Sequence, residues 1–231
     1  MPVAIVFGAA HGLGKACRTR VDSEFKTVVV ADLEDVGGEH ALRCDASRRE
    51  DVEAVFLYAE RLGPVNAVIT TVGNFPRAPL LNIELADWDF SFKGNVLSVY
   101  EVYRAAALSR SRKPDPEPLR VCGTSSVNSF QAHPGNAHYA AMKAAVNSLT
   151  KSFAVDQAKQ GVFYNAVAPG GIKHERTANL PWMADFEARH PLGRAASPDE
   201  IAEIAYFLVS RKNGYMTGEI LTPTGGAFFR S

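Results

Sequence analysis

"VAIVFGAAHGLG", residues 3–14, runs five consecutive apolar residues into glycines at 8, 12 and 14, with an amphipathic segment behind them. Such a run suits a strand buried on both faces of a sheet. The Gly-x3-Gly-x-Gly spacing has a physical reason, because a strand reversing into a helix needs tight backbone conformations. Side chains there would also keep a pyrophosphate away from the helix N-terminus. Taken alone, the pattern equally fits a glycine-rich connection that binds nothing.

Asp32, 18 residues beyond Gly14, changes that balance. It ends the next apolar run, "TVVVAD", where a carboxylate can accept hydrogen bonds from both adenosine ribose hydroxyls and would repel a 2′-phosphate. NAD(H) is therefore the expected cofactor and NADP(H) the alternative, His11 beside Gly12 being able to lend weak positive charge to a phosphate.

Further β-rich runs occur at 65–72, 119–125, 162–168 and 219–222. Between them lie amphipathic segments. Residues 51–62 place Val52, Val55, Phe56, Ala59 and Leu62 on one face, with Ser47 and Glu50 spaced as a capping box. A second box is expected at Ser197 and Glu200, with Pro198 at the first helical position and Ile201, Ile204, Ala205 and Leu208 as the stripe. Strand and helix alternate throughout, predicting one doubly wound α/β domain over 1–231, a parallel sheet of about seven strands with helices on both faces. "SRSRKPDPEPLR", 109–120, is expected as a solvated surface loop.

Composition removes several classes. Lys plus Arg and Asp plus Glu are 25 each, giving no global bias toward nucleic acid or anionic lipid. Cys17, Cys44 and Cys122 have neither disulfide nor metal-ligand spacing, so no metal is expected. No charged leader opens the chain, and no apolar run approaches membrane-spanning length, so a cytoplasmic protein without a membrane partner is expected.

"GTSSVNSFQAHPGNAHYAAMK", 123–143, puts a serine pair at a strand end, then Tyr139 and Lys143 one helical turn apart. Hydride transfer at a C–H requires a proton to move to or from the oxygen on that carbon. A phenol is a poor base at its ordinary pKa, and a neighbouring ammonium favours its phenolate. Tyr139 is therefore the expected general acid/base, Lys143 the group that lowers its pKa and binds ribose, and Ser126 the donor to the substrate oxygen. Gly8, Gly12 and Gly14, Ser126, Tyr139 and Lys143, with "NAVAPGGI" at 165–172, resemble the short-chain dehydrogenase/reductase family over residues 3 to about 226.

That resemblance implies a Rossmann-type oxidoreductase acting on a small-molecule secondary alcohol or ketone, assembled as a homotetramer or homodimer. It adds Asn95 in "WDFSFKGNVLSVY" as the fourth catalytic residue, holding a relay water beside Lys143. It also implies cofactor contacts from Leu13, Asp45, Ala46, Thr71, Val72, Gly73, Pro169, Gly170 and Ile172. Departures accompany it: Thr70-Thr71-Val72-Gly73 replaces Asn-Asn-Ala-Gly, Phe7 replaces a threonine, His174 stands where a threonine would bind the carboxamide, and Thr224 replaces an aspartate.

Residues 173–190 fall where the family places a substrate lid, and Trp182, Met183 and Phe186 could cover an apolar substrate. Phe75, Pro76, Phe130, Gln131 and His133 lie in loops after strands, at the edge where such sheets bind ligands. His138 and His174 could contact a carboxylate or be inert. Val96, Val99, Tyr103, Val146, Leu149 and Phe153 could face a partner subunit or the sheet. Two other functions fit: dehydrogenation of a cyclic diol or other secondary-metabolite intermediate, and a non-catalytic dinucleotide scaffold or sensor. The complete Asn-Ser-Tyr-Lys set argues against the latter.

Overall fold

The computed structural model describes residues 1–132 and 134–229. Seven parallel strands, β1 (Val3–Phe7), β2 (Thr27–Asp32), β3 (Ala41–Arg43), β4 (Val65–Thr70), β5 (Leu119–Thr124), β6 (Val162–Val167) and β7 (Ile220–Leu221), are ordered β3-β2-β1-β4-β5-β6-β7. The expected doubly wound sheet is present, and the order in which strands are added reverses between β1 and β4, where such sheets open a crevice. β3 is the strand missing from the sequence reading: three residues at a sheet edge carry almost no periodic signal.

Alternation along β1 assigns the two layers. Val3, Ile5 and Phe7 enter one core with residues of α2 (Arg49–Leu62), α4 (Ser98–Arg112) and α5 (Ala137–Gln157). Ala4 and Val6 enter the other, against α1 (Gly12–Asp22) and α7 (Pro198–Val209). Phe7 is buried on Phe56, ring centroids 5.9 Å apart, so the exchange of a threonine for packing is realised. Val99, Tyr103 and Val146 face the sheet core rather than a partner, Phe153 packs against that core, and Val96 is buried.

Helix ends follow local side chains. Ser197 accepts from Glu200 N at 3.2 Å and Ser197 N donates to Glu200 Oε2 at 2.8 Å, the expected capping box of α7. The box expected at Ser47 and Glu50 is not formed: α2 begins at Arg49, and the Ser47 hydroxyl donates to Asp45 Oδ1 at 2.7 Å instead. An adjacent carboxylate took the hydroxyl that would have capped the helix. The 109–120 segment also differs from a free loop. α4 continues to Arg112, and buried Arg110 donates to Asp115 O and Glu117 O, cinching the proline turn onto the helix. Arg112 pairs with Glu60 of α2, so charge read as solvation is spent on anchoring. Among the described residues no helix is long and apolar enough to cross a membrane.

Candidate active site

A cleft of about 1140 Å³ opens at the carboxyl edge of the sheet, lined from Gly8, Asp32 and Gly73 at one side to Ser126, Tyr139 and Trp182 at the other. It exceeds the roughly 300–1,000 Å³ of ordinary small-molecule pockets, leaving room for a dinucleotide and a substrate.

The phosphate end is shaped by missing side chains. Gly8 lies at φ 79°, where only glycine is unstrained. A Cβ on Gly14 would stand 1.7 Å from Gly8 O, so the turn closes only with glycine there. Thr71 Oγ1 donates to Phe7 O and Gly8 O at 3.2 and 3.0 Å, bracing the loop from β4. This hydroxyl supplies support on the face where the family's asparagine is absent. Asp32 Oδ2 accepts from Ala10 N at 2.9 Å and Oδ1 from Glu34 N at 3.1 Å, which points the carboxylate into the turn. Residues with this shape and donor set fit a dinucleotide.

The 173–190 segment reaches across the same end. Glu175 Oε1 accepts from Gly12 N at 3.1 Å, at the α1 N-terminus, and hydrogen bonds from its own backbone amide and then from Gly12 hold the carboxyl below its usual range. Glu34 accepts from His11 Nε2 at 2.8 Å and Arg176 at 3.1 Å, and those hydrogen bonds hold its carboxyl low too. Glu34, Glu175 and Arg176 escaped the sequence reading, since single charges in loops carry no spacing signal.

The catalytic end is buried and cross-braced. At the end of β5, Thr124 O accepts from Lys143 Nζ at 2.9 Å, and Ser126, two residues on, borders the cleft with Tyr139. Ser125 Oγ donates to Lys143 O at 3.1 Å, fixing α5 to the strand end. Lys143 Nζ lies 5.6 Å from the Tyr139 ring centroid, and Phe75 meets that ring edge-on at 4.7 Å. Asn95 enters from a π-helical turn, 93–97, between α3 (Leu85–Phe92) and α4. Such bulges re-aim a side chain within a continuous helix. All four expected catalytic residues thus border one cleft.

The electrostatics correct one expectation. Burial pushes the Tyr139 phenol up to about 12, opposed by the Ser126 hydrogen bond, and pushes the Lys143 ammonium down to about 8. The predicted lowering of the phenol by Lys143 is not seen, because desolvation disfavours both charged forms and Nζ bonds a carbonyl rather than the phenol.

A sequence model described as enoyl-(acyl carrier protein) reductase matches residues 8–227. The chain belongs to the short-chain dehydrogenase/reductase family. It is 29% identical to a 3-oxoacyl-(acyl-carrier-protein) reductase of Thermotoga maritima, over 97% of this chain and 96% of that protein. It is 32% identical to an uncharacterized oxidoreductase of Mycobacterium bovis over the same shares. A solved 3-hydroxyacyl-CoA dehydrogenase type-2 from Mycobacterium avium superposes with a TM-score of 0.90 at 27% identity, covering 99% and 96% of the two chains. This short-chain dehydrogenase/reductase is accordingly an oxidoreductase of CH–OH or keto groups with NAD(P).

Other expected residues sort by position. Leu13, Ala46, Val72, Pro169, Gly170, Ile172 and His174 line the cleft. Asp45 does not; it lines a neighbouring hollow with Arg48 and Asp51, its carboxylate engaged by Ser47. Within 173–190, α6 (Pro181–Arg189) turns Trp182 and Phe186 to the cleft but buries Met183, so Met183 is core. Phe75 and Gln131 line the substrate side, whereas Pro76 is not part of the lining, Phe130 stacks on Phe228, and His133 lies outside the described residues. His138 is fully buried beside Trp88, away from the cleft lining.

Proposed function

We propose that this reductase moves a hydride between NAD(H) and a small-molecule secondary alcohol or ketone, with Tyr139 as general acid/base. The observation that carries the reading is the meeting of Asn95, Ser126, Tyr139 and Lys143 on one cleft, with Lys143 Nζ anchored to Thr124 O beside the Tyr139 ring. The dinucleotide would lie along Gly8, Gly12, Gly14 and Gly73, held at its ribose ends by Asp32 and Lys143, and its nicotinamide supplies or takes the hydride. Ser126 aligns the carbonyl oxygen. A phenol raised to about 12 is protonated near neutral pH, the form that donates to a carbonyl oxygen as a ketone is reduced. Lys143, a cation below about pH 8, supports the oxygen's growing negative charge and, through Asn95 and a water, replaces the proton that Tyr139 gives away.

NAD(H) is preferred over NADP(H) because Asp32 and Glu34 place two carboxylates at the adenosine end, and Glu34 already pairs the nearby Arg176. Phe75, Trp182 and Phe186 make the substrate side largely apolar, suited to a compact aliphatic or aromatic carbonyl. The protein acts as a homotetramer or homodimer in the cytoplasm. Leu85, Phe90, Phe92 and Val155 are exposed at 83, 58, 45 and 84%, and these apolar side chains, rather than the ones expected from sequence, are what a partner copy would cover.

The test is a panel of ketones, cyclic diols and a 3-oxoacyl thioester, followed by NAD(P)H absorbance with both cofactors. Turnover of a ketone or the thioester with NADH, or of a diol with NAD+, supports the reading. NADH binding with no turnover of any member would support the scaffold instead.

A further inference from the structure

The Asn95 side chain is fully buried, and its two ends are treated differently. Nδ2 donates to Ser91 O at 3.0 Å and to Asn74 Oδ1 at 2.6 Å, while Oδ1 has no hydrogen-bond partner among the described residues. That free acceptor faces the catalytic ammonium across Gly73: a Cβ placed on Gly73 would stand 2.9 Å from Asn95 Oδ1 and 3.1 Å from Lys143 Nζ. An amide turned the other way would aim its donor at a cation, so the orientation of Asn95 decides whether the two groups can share a bridging water.

What fixes that orientation lies one residue beyond Gly73. Asn74 Nδ2 donates to Phe90 O at 2.8 Å, a carbonyl that can only accept. This leaves Asn74 Oδ1 as the end facing Asn95, which therefore must present its NH2 there and its Oδ1 toward Lys143. Room for the contact comes from Gly94, where a Cβ would stand 2.2 Å from Asn74 Nδ2. Phe90 lies in the last turn of α3 and Gly94 and Asn95 occupy the π-helical turn, so Asn74 ties the loop after β4 to the irregular part of the helix.

We propose that Asn74 is a positioning residue for Asn95, relaying the polarity of the Phe90 carbonyl through two side-chain amides to set the acceptor beside Lys143. The inference rests on the proton-relay reading of Asn95 above. It assigns Asn74 no contact with substrate or cofactor. Its effect falls on proton delivery.

Asn74→Leu, Asn74→Asp and Asn95→Ala, with their combinations, test it on the panel carbonyl of highest turnover. Asn74→Leu should lower kcat about ten- to a hundredfold, the scale expected when a supporting contact misplaces a reacting group. KM and NADH affinity should stay within about twofold of wild type and the solvent deuterium isotope effect on kcat should rise. Asn74→Asp keeps an acceptor facing Asn95 but sets its other oxygen against the Phe90 carbonyl, so it should recover only part of the kcat lost in Asn74→Leu. In the Asn95→Ala background, Asn74→Leu should cost less than about twofold more, since the residue it positions is gone. Gly94→Ala, which displaces Asn74 without removing it, should reproduce the kcat loss and covers the case in which Asn74→Leu does not fold. A kcat unchanged in Asn95→Ala would overturn the relay reading itself. A low kcat in Asn95→Ala with a normal one in Asn74→Leu or Gly94→Ala would overturn the role of Asn74 alone, as would fully additive losses in the double variant.

Discussion

The two ends of the cleft are built on different principles. At the catalytic end, Lys143, Ser126 and Asn95 are buried and tied to β5, the turn after β4 and the π-helical turn by hydrogen bonds to groups that cannot move independently. At the phosphate end, glycine backbone makes the surface, and the side chains above it are solvent-accessible: His11 in the turn itself, Glu34 after β2, and Glu175 and Arg176 in the 173–190 segment. Proton transfer demands fixed sub-ångström geometry, which buried cross-bracing provides. A dinucleotide has to come and go, and exposed pairs that salt can screen open at little cost.

Variants at each end should therefore fail in different ways. Lys143→Met should lower kcat about 10²- to 10³-fold in a steady-state assay, the scale of a lost acid/base or electrostatic group, without a fall in Tm. Keeping a buried ammonium charged is costly, so its loss can even stabilise the fold. The sign is checkable. The folded pKa of Lys143 lies near 8, below the ordinary 10.5, so the unfolded chain binds more protons between those values. Wild type should gain stability relative to Lys143→Met as pH rises through that window; a constant difference across it would mean that Lys143 is not so perturbed.

Asp32→Ala should act on cofactor choice and spare chemistry, cutting the NADH-to-NADPH ratio of kcat/KM about tenfold, or about 1.4 kcal/mol. An unchanged ratio would remove Asp32 from ribose recognition. Glu175→Gln should be the mildest. Its carboxylate sits on the Gly12 amide that a pyrophosphate would use, so neutralising it should tighten NADH binding about two- to fivefold in low salt, an advantage that fades in high salt. Weaker binding by titration would show that Glu175 assists the cofactor.

The same division explains what could be read from the chain alone. Gly8, Gly12, Gly14 and Asp32 were legible because backbone geometry demands particular residues at fixed spacings, and Tyr139 and Lys143 because one helical turn joins them. Ser126 was legible as part of a serine pair at a strand end. Asn95 came only from the resemblance, as a π-helical turn has no sequence signature of its own. Asn74, Glu34 and Glu175 were not legible: each acts through a contact between residues 16 to 163 positions apart, set by how loops settle on the sheet. Met183 turned away from the cleft for the opposite reason, since sequence located its segment and could not say which way the side chain turns. The pKa of Tyr139 belongs with it, because burial is a property of the packed site.

The central claim is that Tyr139 delivers the proton while the rest of the cleft binds. Tyr139→Phe removes one hydroxyl and keeps the ring against Phe75. Steady-state kinetics paired with NADH titration should show kcat reduced by about 10² to 10⁴ with NADH affinity within about twofold of wild type. A variant that binds NADH normally and retains more than about a tenth of wild-type kcat would contradict the account.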